Sequence, residues 1–141
     1  MSLLEKAISI AVEAHRGQKD KFDRPYILHP LSVMGRVDTE PEKIVAVLHD
    51  VVEDTKVTFE DLKREGFPDD LLNALDCVTK REGEAYEDFV KRSDSNPIAR
   101  RVKIADLEDN MDVRRIRLVT EKDVERINKY LKAWRKLKGV G

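Results

Sequence analysis

Two histidines and two aspartates, spread over three segments, define the chemistry open to this chain: His29, His49-Asp50 and Asp106. Two imidazoles and two carboxylates make a mixed nitrogen and oxygen set. Such a set suits Mn²⁺, Fe²⁺ or Zn²⁺ better than calcium, which takes all-oxygen shells. Four protein ligands leave an octahedral ion with open positions for water and a substrate oxygen. An open site of that kind can activate water as a nucleophile and polarise a phosphoryl oxygen. Each residue also has a plainer reading: His49-Asp50 as a buried structural pair, His29 as a loop histidine, Asp106 as a surface acid.

The stretch around His49 argues for function. Ile44-Val45-Ala46-Val47-Leu48 is apolar at every position, so a helix built from it is apolar all round and buried. His49, Asp50, Glu53 and Asp54 then follow, and uncompensated buried charge is costly, so such groups are normally paired or metal-bound. On one continuous helix they would occupy neighbouring faces at three- and four-residue spacings. Glu53 and Asp54 sit near that helix's C-terminus, where the macrodipole disfavours carboxylates. That mismatch favours a functional role over capping.

The elements that must position these residues are all helical. Leu4, Ala7, Ile8, Ala11, Val12 and His15 repeat at helical spacing, giving an amphipathic helix over 2–16 that stops at Gly17. After a polar loop, Pro30 opens a short helix over 31–37, which leaves His29 extended at its entrance. Pro41 opens the buried helix. Thr58 caps a helix over 59–65, Pro68 starts another, and a short one covers 86–92 before a turn at 93–97. A long helix is expected from Pro97 to about Leu118, and Thr120 caps a last one over 121–138. Asp109 and Asp112 read as solvated acids, Trp134 as core and Cys77 as a small buried residue. No strand pattern, repeat or low-complexity tract is present. The expected fold is all-α, a single domain over 1–141.

Composition narrows the classes. Charged residues make up 39% of the chain, yet the net charge is only -1, which argues against a dedicated nucleic-acid binder. A lone cysteine excludes a disulfide framework and a cysteine zinc site and fits a reducing compartment. No stretch reaches the ~20 apolar residues needed to span a bilayer, and the N-terminus has no signal-peptide pattern. The expectation is a soluble cytoplasmic protein without membrane or nucleic-acid partners; self-association is compatible with the sequence but not specified by it.

The order His29, His49-Asp50, Asp106 resembles the pattern that names the HD-domain metal-dependent phosphohydrolases. His15-Arg16-Gly17-Gln18, Pro25-Tyr26-Ile27-Leu28-His29-Pro30, Leu48-His49-Asp50-Val51-Val52-Glu53-Asp54-Thr55, Val78-Thr79-Lys80 and Lys103-Ile104-Ala105-Asp106 are similar to the hydrolase domain of the RelA/SpoT family. Within it they are most similar to the small alarmone hydrolases. The resemblance implies a compact helical HD fold and one Mn²⁺ held by His29, His49, Asp50 and Asp106. It implies hydrolysis of the 3′-pyrophosphate of guanosine tetra- and pentaphosphate (ppGpp to GDP plus pyrophosphate), a stringent-response activity. Glu53 and Asp54 would hold and deprotonate the attacking water.

The same resemblance implies that Lys21, Asn110, Arg126 and Tyr130 contact the nucleotide substrate. Two places depart from the pattern. Asp20 stands where the family has an arginine thought to pack on guanine, and Leu107-Glu108-Asp109 stands where it has a basic, an apolar and a His or Tyr residue. Added anions near a polyanionic nucleotide favour a different nucleotide or phosphorylated cofactor as substrate. A non-catalytic nucleotide-sensing module is the third reading, and the Glu53-Asp54 pair argues against it.

Overall fold

The fold is organised around one short helix whose C-terminal half is fully buried. In a computed structural model, which describes residues 1–140, the helices are α1 (Leu3–Ala14), α2 (Leu28–Gly35), α3 (Glu40–Leu48), α4 (Val51–Asp54), α5 (Phe59–Arg64), α6 (Asp69–Cys77), α7 (Tyr86–Asp94), α8 (Pro97–Asn110) and α9 (Glu121–Lys138). A 3₁₀ turn, Val113–Arg115, separates the last two. Thr39 and Glu42 form a capping box with Pro41 inside the first turn, and Ile44 to Leu48 are then all buried. α1, α2, α6 and α8 surround α3. Ala7 and Ala11, both 0% exposed, are small enough to let α1 approach it closely.

Two apolar clusters result. The larger is centred on α3 and takes Val33 from α2, Leu71, Ala74 and Leu75 from α6, and Ala99, Val102 and Ala105 from α8. The smaller joins α7, α8 and α9 through Val90, Leu107, Ala133 and Leu137, with Ile104, Tyr130 and Trp134 packed against it. α8 therefore serves both clusters with opposite faces, and Asp106 lies between them.

Four boundaries differ from the sequence expectation, each for a local reason. The helix over 44–55 is not continuous. The Ala46 carbonyl, which would accept from the Asp50 amide, instead accepts from His49 Nδ1 at 2.6 Å and the His49 amide at 3.3 Å. Asp50 leaves the helix at φ -104, ψ -2, and α4 starts after it. His29 is helical rather than extended. The Pro25–Ile27 turn starts α2 at Leu28, so Pro30 is its third residue, where the missing N–H has no intrahelical acceptor to lose.

α8 stops at Asn110, not near Leu118. The Asp112 side chain accepts from the Arg114 amide at 3.1 Å and nucleates the 3₁₀ turn, while Arg115 donates to the Asp109 carbonyl, which a continuing helix would use. α7 extends through Ser93 and Asp94, with the Ser93 hydroxyl donating to the Cys77 and Phe89 carbonyls at 2.8 and 3.2 Å. Trp134 and Cys77 are half-buried rather than core. The Trp134 indole N–H donates to Glu108 at 3.0 Å.

The α6–α7 connection is tied down by Arg92. Its guanidinium grips both Glu84 oxygens at 2.8 Å and donates to the Asp76 and Thr79 carbonyls at 2.6 and 2.7 Å. Bonding to Arg92 outweighs the opposing effect of desolvation and holds Glu84 at about 2. A folded-state pKa below the unfolded value adds stability that is present above pH ~4.5 and lost as pH falls towards 2. After discounting for solvent screening, the unfolding free energy should therefore contain an acid-labile part of about 2 kcal/mol from this pair. Urea titrations at pH 5 and pH 2 should find Glu84→Gln less stable than the parent at the higher pH and nearly equal at the lower. An unchanged gap at both would refute the assignment.

Candidate metal centre

Three segments meet at the break between α3 and α4. α2 contributes His29, the break itself contributes His49 and Asp50, and α8 contributes Asp106. His29 Nε2 is 2.9 Å from Asp106 Oδ1 and 3.8 Å from Asp50 Oδ2. His49 Nε2 is 3.1 Å from Asp50 Oδ2 and 3.3 Å from Asp106 Oδ1. Two donors each ~2.1 Å from one ion at angles near 90–110° lie about 3.0–3.4 Å apart, so the 2.9, 3.1 and 3.3 Å spacings suit a shared cation, and Asp50 stands farther from His29 at 3.8 Å. His49 Nε2 is buried between two carboxylates, yet among the described residues it has no hydrogen-bond partner. An orphaned buried nitrogen is costly unless something else occupies its lone pair. His29, His49 and Asp106 form one metal-capable group, with Asp50, Glu53 and Asp54 as a second beside it.

Each of the four side chains is also held by a further partner. His49 Nδ1 donates to the Ala46 carbonyl, and the Tyr26 hydroxyl donates to Asp50 Oδ2 at 2.5 Å. Lys103 Nζ donates to Asp106 Oδ2 at 3.0 Å, and the Asn110 amide donates to Asp106 Oδ1 at 3.1 Å. His29 Nδ1 is 2.6 Å from Asp109 Oδ2. Such outer partners fix ring orientation and tautomer at metal sites. Burial raises the Tyr26 pKa, and Asp50 adds to the rise, so its hydroxyl stays a donor. Lys103 keeps its charge despite burial because Asp106 is beside it, and the Lys103 amine in turn holds Asp106 well below the usual carboxylate range against the push of burial.

A cleft of about 520 Å³ opens over this centre. It is lined by all ten residues singled out in the sequence: His29, His49, Asp50, Glu53, Asp54, Asp106, Lys21, Asn110, Arg126 and Tyr130. Glu53 accepts from the Lys80 amide at 2.9 Å, which ties it to the connection that Arg92 secures. Asp54 is open to solvent, but surrounding protein desolvates it, and the charges of Asp50 and Glu53 push it further, to about 6. With no cation beside it, its carboxylate thus titrates nearer neutrality than an ordinary aspartate. Burial lowers the Lys21 pKa, and the cations Arg126 and Arg115 lower it further. The cleft therefore has an acidic floor and a basic rim.

Sequence reasoning overlooked several residues here. Arg115 lines the cleft, as do Phe22 and Phe89. Tyr26 and Lys103 stood inside motifs already noted, so their neighbours were the available signal. Asp109, expected in solvent, is only 3% exposed, a correction caused by α2 packing across the end of α8. The departures from the family pattern are also structurally occupied. Asp20 accepts from the Phe22 and Arg24 amides at 2.8 and 3.0 Å, and Glu108 accepts from Trp134.

No family model matches the chain. Comparison with known proteins shows 36% identity over 121 residues to a GTP pyrophosphokinase of Streptomyces coelicolor, covering 77% of this chain and 14% of that protein. A guanosine-3′,5′-bis(diphosphate) 3′-pyrophosphohydrolase of Aquifex aeolicus is 32% identical over 120 residues, covering 77% of this chain and 17% of that one. Among solved structures, that of a metazoan orthologue of SpoT, described as hydrolysing ppGpp with a role in starvation responses, superposes with a TM-score of 0.79. It is 24% identical, with 100% of this chain and 88% of that one covered. The chain is a RelA/SpoT-type HD domain. This HD domain spans less than a fifth of the length of the two bacterial relatives.

Burial opposes the protonated form of His29, but its bonds to Asp106 and Asp109 prevail and raise it to about 9 in the metal-free HD domain. A divalent cation must then displace at least one proton at pH 7.5. Calorimetric titration in buffers of different ionisation enthalpy should report that proton, and affinity should fall roughly tenfold per pH unit for each proton displaced. A heat independent of the buffer would rule out His29 as a ligand.

Proposed function

We propose that this HD domain is a Mn²⁺-dependent phosphohydrolase that removes the 3′-pyrophosphate of guanosine tetra- and pentaphosphate, giving GDP from ppGpp. The observation that carries the reading is the juxtaposition of four convergent ligand atoms, a carboxylate pair and a cationic rim in one cleft. His29, His49, Asp50 and Asp106 would hold the ion, with Fe²⁺ or Zn²⁺ as chemically acceptable substitutes. The bound ion supplies Lewis acidity towards water and towards a phosphoryl oxygen.

The protein's own groups do the rest. Asp54, beside Asp50 in the cleft, accepts the proton of the attacking water, and Glu53, fixed by the Lys80 amide, orients that water. Lys21, Arg115 and Arg126 line the cleft and meet the negative charge of the phosphates. Tyr130 lies four residues after Arg126 on the same face of α9 and borders the same space. Asn110 lines the cleft too, although its amide is bonded to Asp106 and so supports that ligand as well as facing substrate.

A second reading has one observation in its favour. Asp20 gives the cleft no guanidinium to stack on a base, which favours a phosphorylated substrate other than the guanine alarmone. Because Asp20 is held by its own loop amides and lies 3.6 Å from the Arg24 guanidinium, its charge opposes the alarmone less than the sequence alone implies. The soluble, cytoplasmic, single-domain character expected from the sequence belongs to this proposal. Among the described residues, no helix is long and apolar enough to cross a membrane.

Metal-loaded protein should release pyrophosphate from guanosine tetraphosphate in a panel of nucleotides. Asp54→Asn should lower kcat by about 10²–10⁴-fold with little change in KM, and Asp50→Ala should abolish turnover together with metal binding. Turnover confined to other members of the panel selects the second reading. Bound metal with no turnover of any member excludes catalysis and leaves the sensing module.

A further inference from the structure

We propose that Asp109 is a positioning residue of the metal centre: it holds the His29 ring in the orientation and tautomer that present Nε2 to the cation. The inference rests on the reading of His29 as a ligand. It concerns a residue that departs from the family's pattern at this position, where a histidine or tyrosine is usual.

The Asp109 carboxylate is buried, and both of its oxygens are committed. Oδ1 accepts from the Ser32 hydroxyl at 2.6 Å and from Arg36 at 3.3 Å, while Oδ2 lies 2.6 Å from His29 Nδ1 and 3.4 Å from Arg115. Ser32 and Arg36 come from α2, as His29 does, so the carboxylate plane is fixed relative to the ring it faces. A carboxylate is acceptor-only, so in the metal-free domain each ring nitrogen carries a proton, Nδ1 towards Asp109 and Nε2 towards Asp106, and a cation seated beside Asp106 displaces the Nε2 proton. In the neutral ring the lone pair then belongs to Nε2, which lies 2.9 Å from Asp106 and 3.8 Å from Asp50.

The second imidazole offers an internal comparison. His49 uses the uncharged Ala46 carbonyl for the same purpose at the same distance of 2.6 Å. A charged acceptor makes a histidine a more basic ligand than a neutral one does. Arg36 and Arg115 supply the compensating charge that lets an anion remain in this buried position. The competing explanation is that Asp109 merely pins α2 to α8 through the two arginines.

A double-mutant cycle on the full chain separates the two. Zn²⁺ affinity would be measured by competition with a chelating dye for the parent, Asp109→Asn, His29→Ala and the double variant. Asparagine keeps the size and one acceptor oxygen, and thermal melts would verify that each variant is folded. Asp109→Asn should weaken Zn²⁺ binding about 10–100-fold in the parent. In the His29→Ala background the same change should cost less than about twofold, because the partner through which Asp109 acts is gone. Nitrogen-15 imidazole spectra of the zinc-loaded parent should show His29 protonated at Nδ1. Unchanged affinity on Asp109→Asn, or a loss that persists undiminished without His29, overturns the proposal. If the parent binds no Zn²⁺, the ligand set falls with it. Binding without nucleotide turnover would overturn the proposed enzyme activity and leave the role of Asp109 intact.

Discussion

The cost of burying charge governs this structure. Asp106 sits on the helix that two apolar clusters share, and His49 is 4% exposed directly after the apolar run Ile44 to Leu48. Neither could remain there unpaired, since isolated buried ions cost many kcal/mol. The surrounding architecture compensates them. Lys103 faces Asp106, Tyr26 faces Asp50, Asp109 faces His29, and a backbone carbonyl faces His49. The helix break after α3 follows from the same requirement, because the carbonyl serving His49 is taken from the helical ladder.

Much of the residue cluster that forms the candidate site was legible in the sequence, for a physical reason. Histidine and aspartate inside Ile44–Val51, and Asp106 after Ile104-Ala105, are the wrong types for apolar surroundings, and wrong types demand a partner. Helix starts were legible where capping chemistry was explicit, as at Thr58 and Thr120, each of which forms a capping box. What escaped depends on contacts between distant segments. Asp109 lies among Glu108, Asn110 and Asp112, and nothing in that polar run says which acid faces inward. Its burial is decided by α2, nearly eighty residues away in the chain. The end of α8 was missed although Asp112, an Asx-turn former ahead of Val113-Arg114-Arg115, carried the signal.

The acids that replace family residues illustrate how little sign alone says about a site. Asp20, Glu108 and Asp109 look like three added repulsions towards a polyanion. In the fold, the first orders its own loop, the second accepts from an indole, and the third is enclosed by an imidazole and two guanidiniums. Their charges are spent within the protein, and the field at the cleft rim is set by Lys21, Arg115 and Arg126.

The double allegiance of α8 has a consequence for how this molecule can diversify. The metal-facing groups come from α2, the α3–α4 break and α8, whereas Arg126 and Tyr130 ride on α9, which packs chiefly on α7 and α8. The proposed reactive floor and recognition wall thus belong to different packing units that share α8 and also meet where α6 contacts α7. Substitutions in α9 or in the connection before it can reshape the wall while the floor keeps its geometry. Under the proposed function, one hydrolytic apparatus could in this way be carried from one phosphorylated metabolite to another by repacking α9.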